Sequence, residues 1–460
     1  MPELVTPTVD ALVNSGTSLS NFYCASPVCS PARASLLTGR MPSAHGIHDW
    51  LVGERHPDAH EDVYLGGLPN LPEVLKRAGY TCAMTGKWHV GTSRRPAPGF
   101  DYWYAHRLGG GPYYNAPIWD KNGEKAEEPR YFTYAVADEA RTFLDQYSEG
   151  HSSRESSSHE PFFLQVNFTA PHDPWIKNHP QDLYDLYKDC DFESIPREPP
   201  HPWVAPRRDD FKQAFENPLP HIQGYAAALS GVDRALESLI SKLKEHGLDE
   251  NTVIIYMADN GFSCGHHGTW GKGNGTYPLN FWENSVRVPF VIKMPGQTEK
   301  HEITNHVSAT SFFPTICDLA HVEAPEDPLR AGASFAKLLV TGHDDPLYDS
   351  VMVFDEYGGG RMVRSGEYKL IERFEGPGEL YNLDNDPEER ENLYDVSDYS
   401  VIQLDLHDRL SEWFEHHETL ADRAYERGVR GRGQINPPRK GYDDAHTYVQ
   451  QDITFDGTRH

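Results

Sequence analysis

Residues 222–246 carry Leu229, Val232, Leu236, Leu239, Ile240 and Leu243 at helical spacing, stop at Gly247, and lead into the wholly apolar run TVIIYM at 252–257. A helix with one apolar stripe and a strand apolar on both faces each need cover, and laying helices on a sheet covers both. The same rhythm recurs upstream. LPEVLKRAG at 71–79 precedes YTCAMTG, and a helix around residues 134–147 passes through the Ser-rich SSRESSSHE into FFLQVNF at 162–168. PTVDALVNSG at 7–16 places Val9, Leu12 and Val13 on one helical face and ends at Gly16. The pattern predicts an α/β fold, with a mostly parallel sheet sandwiched by helices.

Such sheets do their chemistry in the loops just past the strand carboxyl ends. Three loops stand there: GKWHVG at 86–91, TAPHDPW at 169–175 and ADNG at 258–261. Residues 176–220 are Pro-rich and irregular, which predicts a surface excursion, a lid. After residue 345 the pattern changes to short alternating runs, SVMVFDEY, GRMVRSGEYKLIERF and GELYNL. They predict a small antiparallel sheet, so that 1–345 form a catalytic domain and 346–460 a carboxy-terminal subdomain with a tail.

The formal charge of −27 excludes a nucleic-acid partner, which needs a surplus of Lys and Arg. It also means that an anionic substrate has to be met by local cations that stand out against the overall field. No run approaches the roughly 20 apolar residues of a membrane span. The first 30 residues show no basic segment followed by an apolar one, so the chain as it stands reads as cytoplasmic. Its six cysteines are scattered, without CxxC, and indicate no disulfide framework.

Cys29-Ser30-Pro31-Ala32-Arg33, continuing as ASLLTGR, is the string with most chemical content. Pro31 suits a first helical turn, which puts Cys29 at a helix amino terminus, where free N–H groups favour anions, with Arg33 one turn on. C-x-P-x-R followed by ASLLTG resembles the sulfatase signature, whose Cys is oxidised to formylglycine by the formylglycine-generating enzyme. Cys24, in CASPV, lacks Pro and Arg at those offsets and reads as structural. GKWHVG, GFDYW at 99–103, APHDP, ADNG, GHHGTWGK at 265–272 with RVPF at 287–290, and ELYNLDNDPEERENL at 379–393 resemble further segments of the family, in family order.

The resemblance implies an alkaline-phosphatase-like fold and the hydrolysis of a sulfate monoester. The hydrated aldehyde of residue 29 attacks sulfur, the alcohol leaves, and the sulfated hemiacetal then expels sulfate. Arg33 holds the aldehyde hydrate, Lys87 and Lys272 bind sulfate oxygens, and His89 is the base of the elimination. His172 contacts the bridging oxygen and assists the leaving group, with Lys272 as the competitor for that proton. Asp259 and Asn260, with residue 29, ligate Ca²⁺ or Mg²⁺, hard cations suited to oxygen donors. His48 and Asp49, in GIHDW, follow the signature helix closely and are expected to touch substrate. A sulfated sugar, an aryl sulfate and choline sulfate are all open.

One departure matters. Sulfatases of this kind open with an apolar strand ending in paired Asp, or Asp-Gln, that completes the cation's ligands, whereas only 28 residues precede Cys29 here and none forms such a strand. Asp10, inside the first helix, is no substitute. Weak metal binding and uncovered apolar surface follow, and truncation and genuine loss are both open. The competing functions are a phosphodiesterase or phosphonate monoester hydrolase of the same superfamily, and a silent binder of sulfated sugars. A Cys–His thiol hydrolase fits less well, because the conversion signature has no role there.

Overall fold

The expected helices form, and their ends follow the residues that marked them. Helix α1 (Pro7–Ser15) has proline in its first turn and stops at Gly16. Helix α2 (Cys29–Thr38) closes on Gly39 in the left-handed conformation, φ 69°. Helix α3 (Leu71–Arg77) is capped by Asn70, whose side chain accepts from the Glu73 N–H. Helices α4 (Phe132–Ser152) and α5 (Pro218–Glu245) are the long amphipathic pair and pack on each other. The computed structural model describes residues 1–59, 63–152, 160–204, 209–341, 345–419, 433–438 and 443–449.

The main strands are β1 (Thr17–Leu19), β2 (Thr81–Lys87), β3 (Tyr102–His106), β4 (Ala116–Trp119), β5 (Lys125–Glu128), β6 (Phe162–Asn167), β7 (Ile254–Met257), β8 (Phe290–Lys293) and β9 (His301–Ile303). They form two sheets, in the orders β5-β4-β3-β2-β6 and β9-β1-β8-β7. β2 is parallel to β3 and β6, and β1 to β9. The other pairs are antiparallel.

β6 and β7 are the end strands of their sheets and share one apolar floor. Phe162 and Leu164 of β6 and Ile254 of β7 pack with Phe143 and Leu144 of α4 and Leu243 of α5. Among the described residues neither strand has a second neighbour, and each of their residues is only half-buried. Sequences as apolar as FFLQVN and IIYM belong to strands covered on both sides. Among the described residues the sheet is therefore interrupted between β6 and β7.

Residues 176–220 are less open than their prolines predict. Trp175, Tyr187, Phe192, Ile195 and Phe211 form a buried cluster with Cys264 and Trp270, so the excursion braces the loop that ends at Lys272. Aromatic side chains, with short helices at Gln181–Asp185 and Asp209–Glu216, hold it down.

The carboxy-terminal runs form the predicted antiparallel meander: β10 (Ser350–Asp355), β11 (Gly360–Ser365), β12 (Tyr368–Arg373) and β13 (Glu379–Asn382), with α6 (Ser400–His417) against it. Its apolar face joins the core of the second sheet, since Val353, Met362 and Leu370 share a cluster with Leu19, Phe290 and Ile292. Among the described residues no seam divides the core at residue 345. The junction also carries a buried ion cluster, in which Lys369 Nζ donates to Glu283 Oε1 (3.0 Å) and Glu389 Oε1 (2.7 Å). Burial holds the Glu389 carboxyl above the usual range. Lys369→Met leaves two buried carboxylates facing each other and is expected to cost about 3–5 kcal/mol, read from the urea midpoint. A loss below about 1 kcal/mol would show that the cluster holds nothing together. No helix among the described residues is long and apolar enough to cross a membrane.

Candidate active site

The amino end of α2, the end of β2 and the loop after β7 meet at Arg33. Its Nε donates to Asp259 Oδ2 (2.8 Å) and its Nη1 to the Lys87 carbonyl (3.0 Å). Cys29 is the first residue of α2 and is 5% exposed. Burial alone raises a thiol's pKa, yet Lys272, Lys87 and His89 hold Cys29 well below its ordinary value. Cys24, buried beside Asp259 instead, is pushed up.

His89 sits with its ring between two fixed partners. Its Nδ1 is 3.4 Å from Cys29 Sγ and its Nε2 3.0 Å from the Leu51 carbonyl. A carbonyl only accepts, so Nε2 carries the proton and Nδ1 turns a lone pair toward residue 29. Burial lowers its pKa, keeping that lone pair available. The backbone of His89 is left-handed, φ 57°, a strained setting for a side chain with a Cβ.

His172 is held similarly. Its Nδ1 donates to the Asp173 carbonyl (2.9 Å), and burial brings its pKa down to about 4, so the ring is uncharged at neutral pH. Two glycines lie on these rings. A Cβ on Gly109 would come within 2.0 Å of the His89 ring, and one on Gly110 within 2.7 Å of the His172 ring. In the sequence, GGG at 109–111 announces a close backbone approach without saying to what.

Lys87 is 3% exposed, and burial, with Lys272 and Arg33 opposing Cys29, lowers its pKa to about 8. Lys272 Nζ stands 3.5 Å from Asn260 Oδ1. Burial is outweighed at Asp259 by Arg33, Lys87 and Lys272, which keep it ionised. His267 stacks on Trp282 (ring centroids 4.3 Å, planes 9° apart) and so shapes the loop before Lys272.

His48 and Asp49 are placed otherwise than the sequence suggests. Both are buried and tied to the tail: His48 Nδ1 is 2.6 Å from the Tyr448 hydroxyl, and Asp49 Oδ2 accepts from the Gly433 N–H (2.7 Å). Gln434 of the same segment accepts from the His48 N–H (2.7 Å). They seat the strap that flanks the mouth of the site.

Residues 1–322 match the family described as Sulfatase. The chain belongs to the sulfatase family. Residues 274–416 match N-sulphoglucosamine sulphohydrolase, C-terminal. An ulvan-active sulfatase of Formosa agariphila is 28% identical over 437 residues, covering 89% of this chain and 76% of that protein. A choline-sulfatase of Rhizobium meliloti is 29% identical over 427 residues, covering 84% and 77%. A solved structure described as in complex with its substrate D-glucosamine-2-N,6-O-disulfate superposes with a TM-score of 0.72 at 22% identity, over 90% of this chain and 93% of that one. The fold is that of the alkaline-phosphatase-like sulfatases, and this sulfatase is a hydrolase of sulfuric esters.

The family works with a formylglycine and a divalent cation. Residue 29 suits the first, being at a helix amino terminus with a base, His89, at 3.4 Å and two lysines, Lys87 and Lys272, acting on it. The cation is served only in part. Asp259 and Asn260 offer hard oxygens, but Arg33 already holds Asp259 Oδ2, and no group of three His, Cys, Asp or Glu among the described residues is placed to bind a metal. Ca²⁺ takes about 6 to 8 oxygens. Asp259 and Asn260 alone do not fill that shell.

Proposed function

We propose that this sulfatase releases sulfate from a sulfated carbohydrate, with Cys29 converted to formylglycine by the formylglycine-generating enzyme and with Ca²⁺ or Mg²⁺ as the cation. One observation carries the reading: Lys87, Lys272 and a neutral His89 converge on a buried cysteine at a helix amino terminus, with Arg33 fixed one turn on. As its hydrate, a residue-29 aldehyde supplies a hydroxyl nucleophile for sulfur. Arg33 orients that group, fixed by its own bonds to Asp259 and the Lys87 carbonyl. Lys87 and Lys272 neutralise the sulfate oxygens, which an anionic ester needs before anything attacks it. His89 Nδ1 takes the proton in the elimination, its tautomer set by the Leu51 carbonyl. The relatives' names cover both a polysaccharide ester and choline sulfate, and the cleft described below favours the carbohydrate.

The departing alkoxide needs a proton. His172, neutral with its proton on Nδ1 toward Asp173, holds none for it, whereas the Lys272 ammonium does. Lys272→Ala is therefore expected to lower kcat/KM on sugar sulfates about 100-fold more than on nitrophenyl sulfate, with His172→Ala showing a difference of about tenfold or less. The reverse ranking would return the acid role to His172. The function itself is tested by assaying the converted protein on sugar, aryl and choline sulfates beside aryl phosphate. Preference for the phosphate would make it a phosphoester hydrolase, and binding of sulfated sugars without release a silent binder.

A further inference from the structure

A cleft of about 630 Å³ opens over His89. In a chain with a net charge of −27 its wall is unexpectedly basic, carrying Arg55, Arg94, Arg107 and Lys125 around Trp119. Arg107 and Lys125 occupy both oxygens of Glu54, at 2.6 and 2.7 Å. The guanidinium carbons of Arg94 and Arg107 each lie 5.5 Å from the Trp119 ring centroid, and Arg94 is 3.5 Å from Glu124. Arg55 differs from these. It is exposed, has no carboxylate within ion-pair distance among the described residues, and senses Asp173 and Glu54 only at longer range.

Its position is fixed by the glycine loop. Arg55 Nη2 donates to the Gly110 carbonyl (3.1 Å), Gly110 lies against His172, and Gly109 lies against His89. Through Gly110, Arg55 stands one residue from His172 and two from His89, and it lines the cleft. We propose that Arg55, backed by Arg94 and Arg107, binds a second anionic group, sulfate or carboxylate, on the carbohydrate whose sulfate is cleaved. The substrate class is a multiply anionic sugar, and the inference rests on the sulfatase reading above. An Arg fork matches such oxygens in two places at once. The same wall repels a quaternary ammonium, so choline sulfate is a poor substrate.

The test compares four esters on the converted enzyme: a monosulfated hexosamine, the same hexosamine with a second sulfate, a monosulfated disaccharide containing a uronic acid, and choline sulfate. The disulfated or uronate sugar is expected to lead in kcat/KM by about tenfold or more, and choline sulfate to trail. Arg55→Ala should raise KM for the leading sugar about 10- to 100-fold and change the monosulfated sugar less than about threefold, with Arg55→Lys in between. Whichever of the two sugars shows this dependence identifies the second group as sulfate or carboxylate. Equal losses on all sugars would reduce Arg55 to a prop for the glycine loop and overturn the proposal, as would choline sulfate matching the best sugar. Calorimetry of the disulfated and the uronate sugar on Cys29→Ala, with and without Arg55→Ala, separates the two readings. Turnover of no ester sinks the sulfatase reading, whereas binding that ignores Arg55 sinks the anion site alone.

Discussion

Cys29→Ala is expected to abolish sulfate release, by about four orders of magnitude or more in kcat/KM, while leaving the melting temperature within roughly 2 °C of the parent. The loss is large because the side chain is the nucleophile itself, and no neighbour at the site offers another aldehyde precursor. The fold is spared because Cys29 makes one polar contact through its sulfur, to His89, and a methyl group occupies the same space. Cys24→Ala should leave turnover intact, since its sulfur faces the Ser285 carbonyl (3.8 Å) in a fully buried setting. In a host with the converting enzyme, the residue-29 peptide should weigh about 18 Da less than its thiol form, the difference between CH₂SH and CHO. Fully active protein with an intact thiol at residue 29 would refute the mechanism.

The parts of this site that were legible in the sequence are those written in local strings. Lys87 ends β2, and His172 and Asp259 follow β6 and β7, so the α/β rhythm alone places all three at or after strand carboxyl ends, and the motif at 29–33 adds the helix amino terminus. What depended on distant packing was not legible. His48 and Asp49 look like pocket residues in GIHDW, but their partners, Gly433, Gln434 and Tyr448, lie some 400 positions on, in a tail whose sequence matches nothing that suggests a strap. The acidic composition required local cations for any anionic substrate without saying where they stand, and four cations from separate segments gather on one cleft wall. Composition averages over the surface, while binding depends on what the fold collects in one place.

The interruption between β6 and β7 leads to the largest expected gain. A version of this sulfatase carrying, ahead of Met1, an apolar strand that ends in paired Asp should melt roughly 5–10 °C higher and bind a full equivalent of Ca²⁺. Two observations say that such a strand has somewhere to go. Among the described residues β6 and β7 each have one unpaired edge and half-exposed apolar side chains over the α4–α5 floor, so a strand between them gains two ladders and covers surface that now faces water. Met1 and Leu4 pack in the same cluster as Phe262, two residues beyond Asn260, so a segment entering there passes the loop that already offers Asp259 and Asn260. Two carboxylates added at that point would fill more of the cation's shell and offset the three cations beside Asp259 with negative charge. The experiment is to prepare both forms, from the upstream gene sequence or with the strand of a related sulfatase, and to measure bound metal per chain, melting temperature and sulfate release. If the shorter form binds a full equivalent of Ca²⁺ tightly and matches the longer one in rate, other residues complete the site and the interruption is a feature of the working fold.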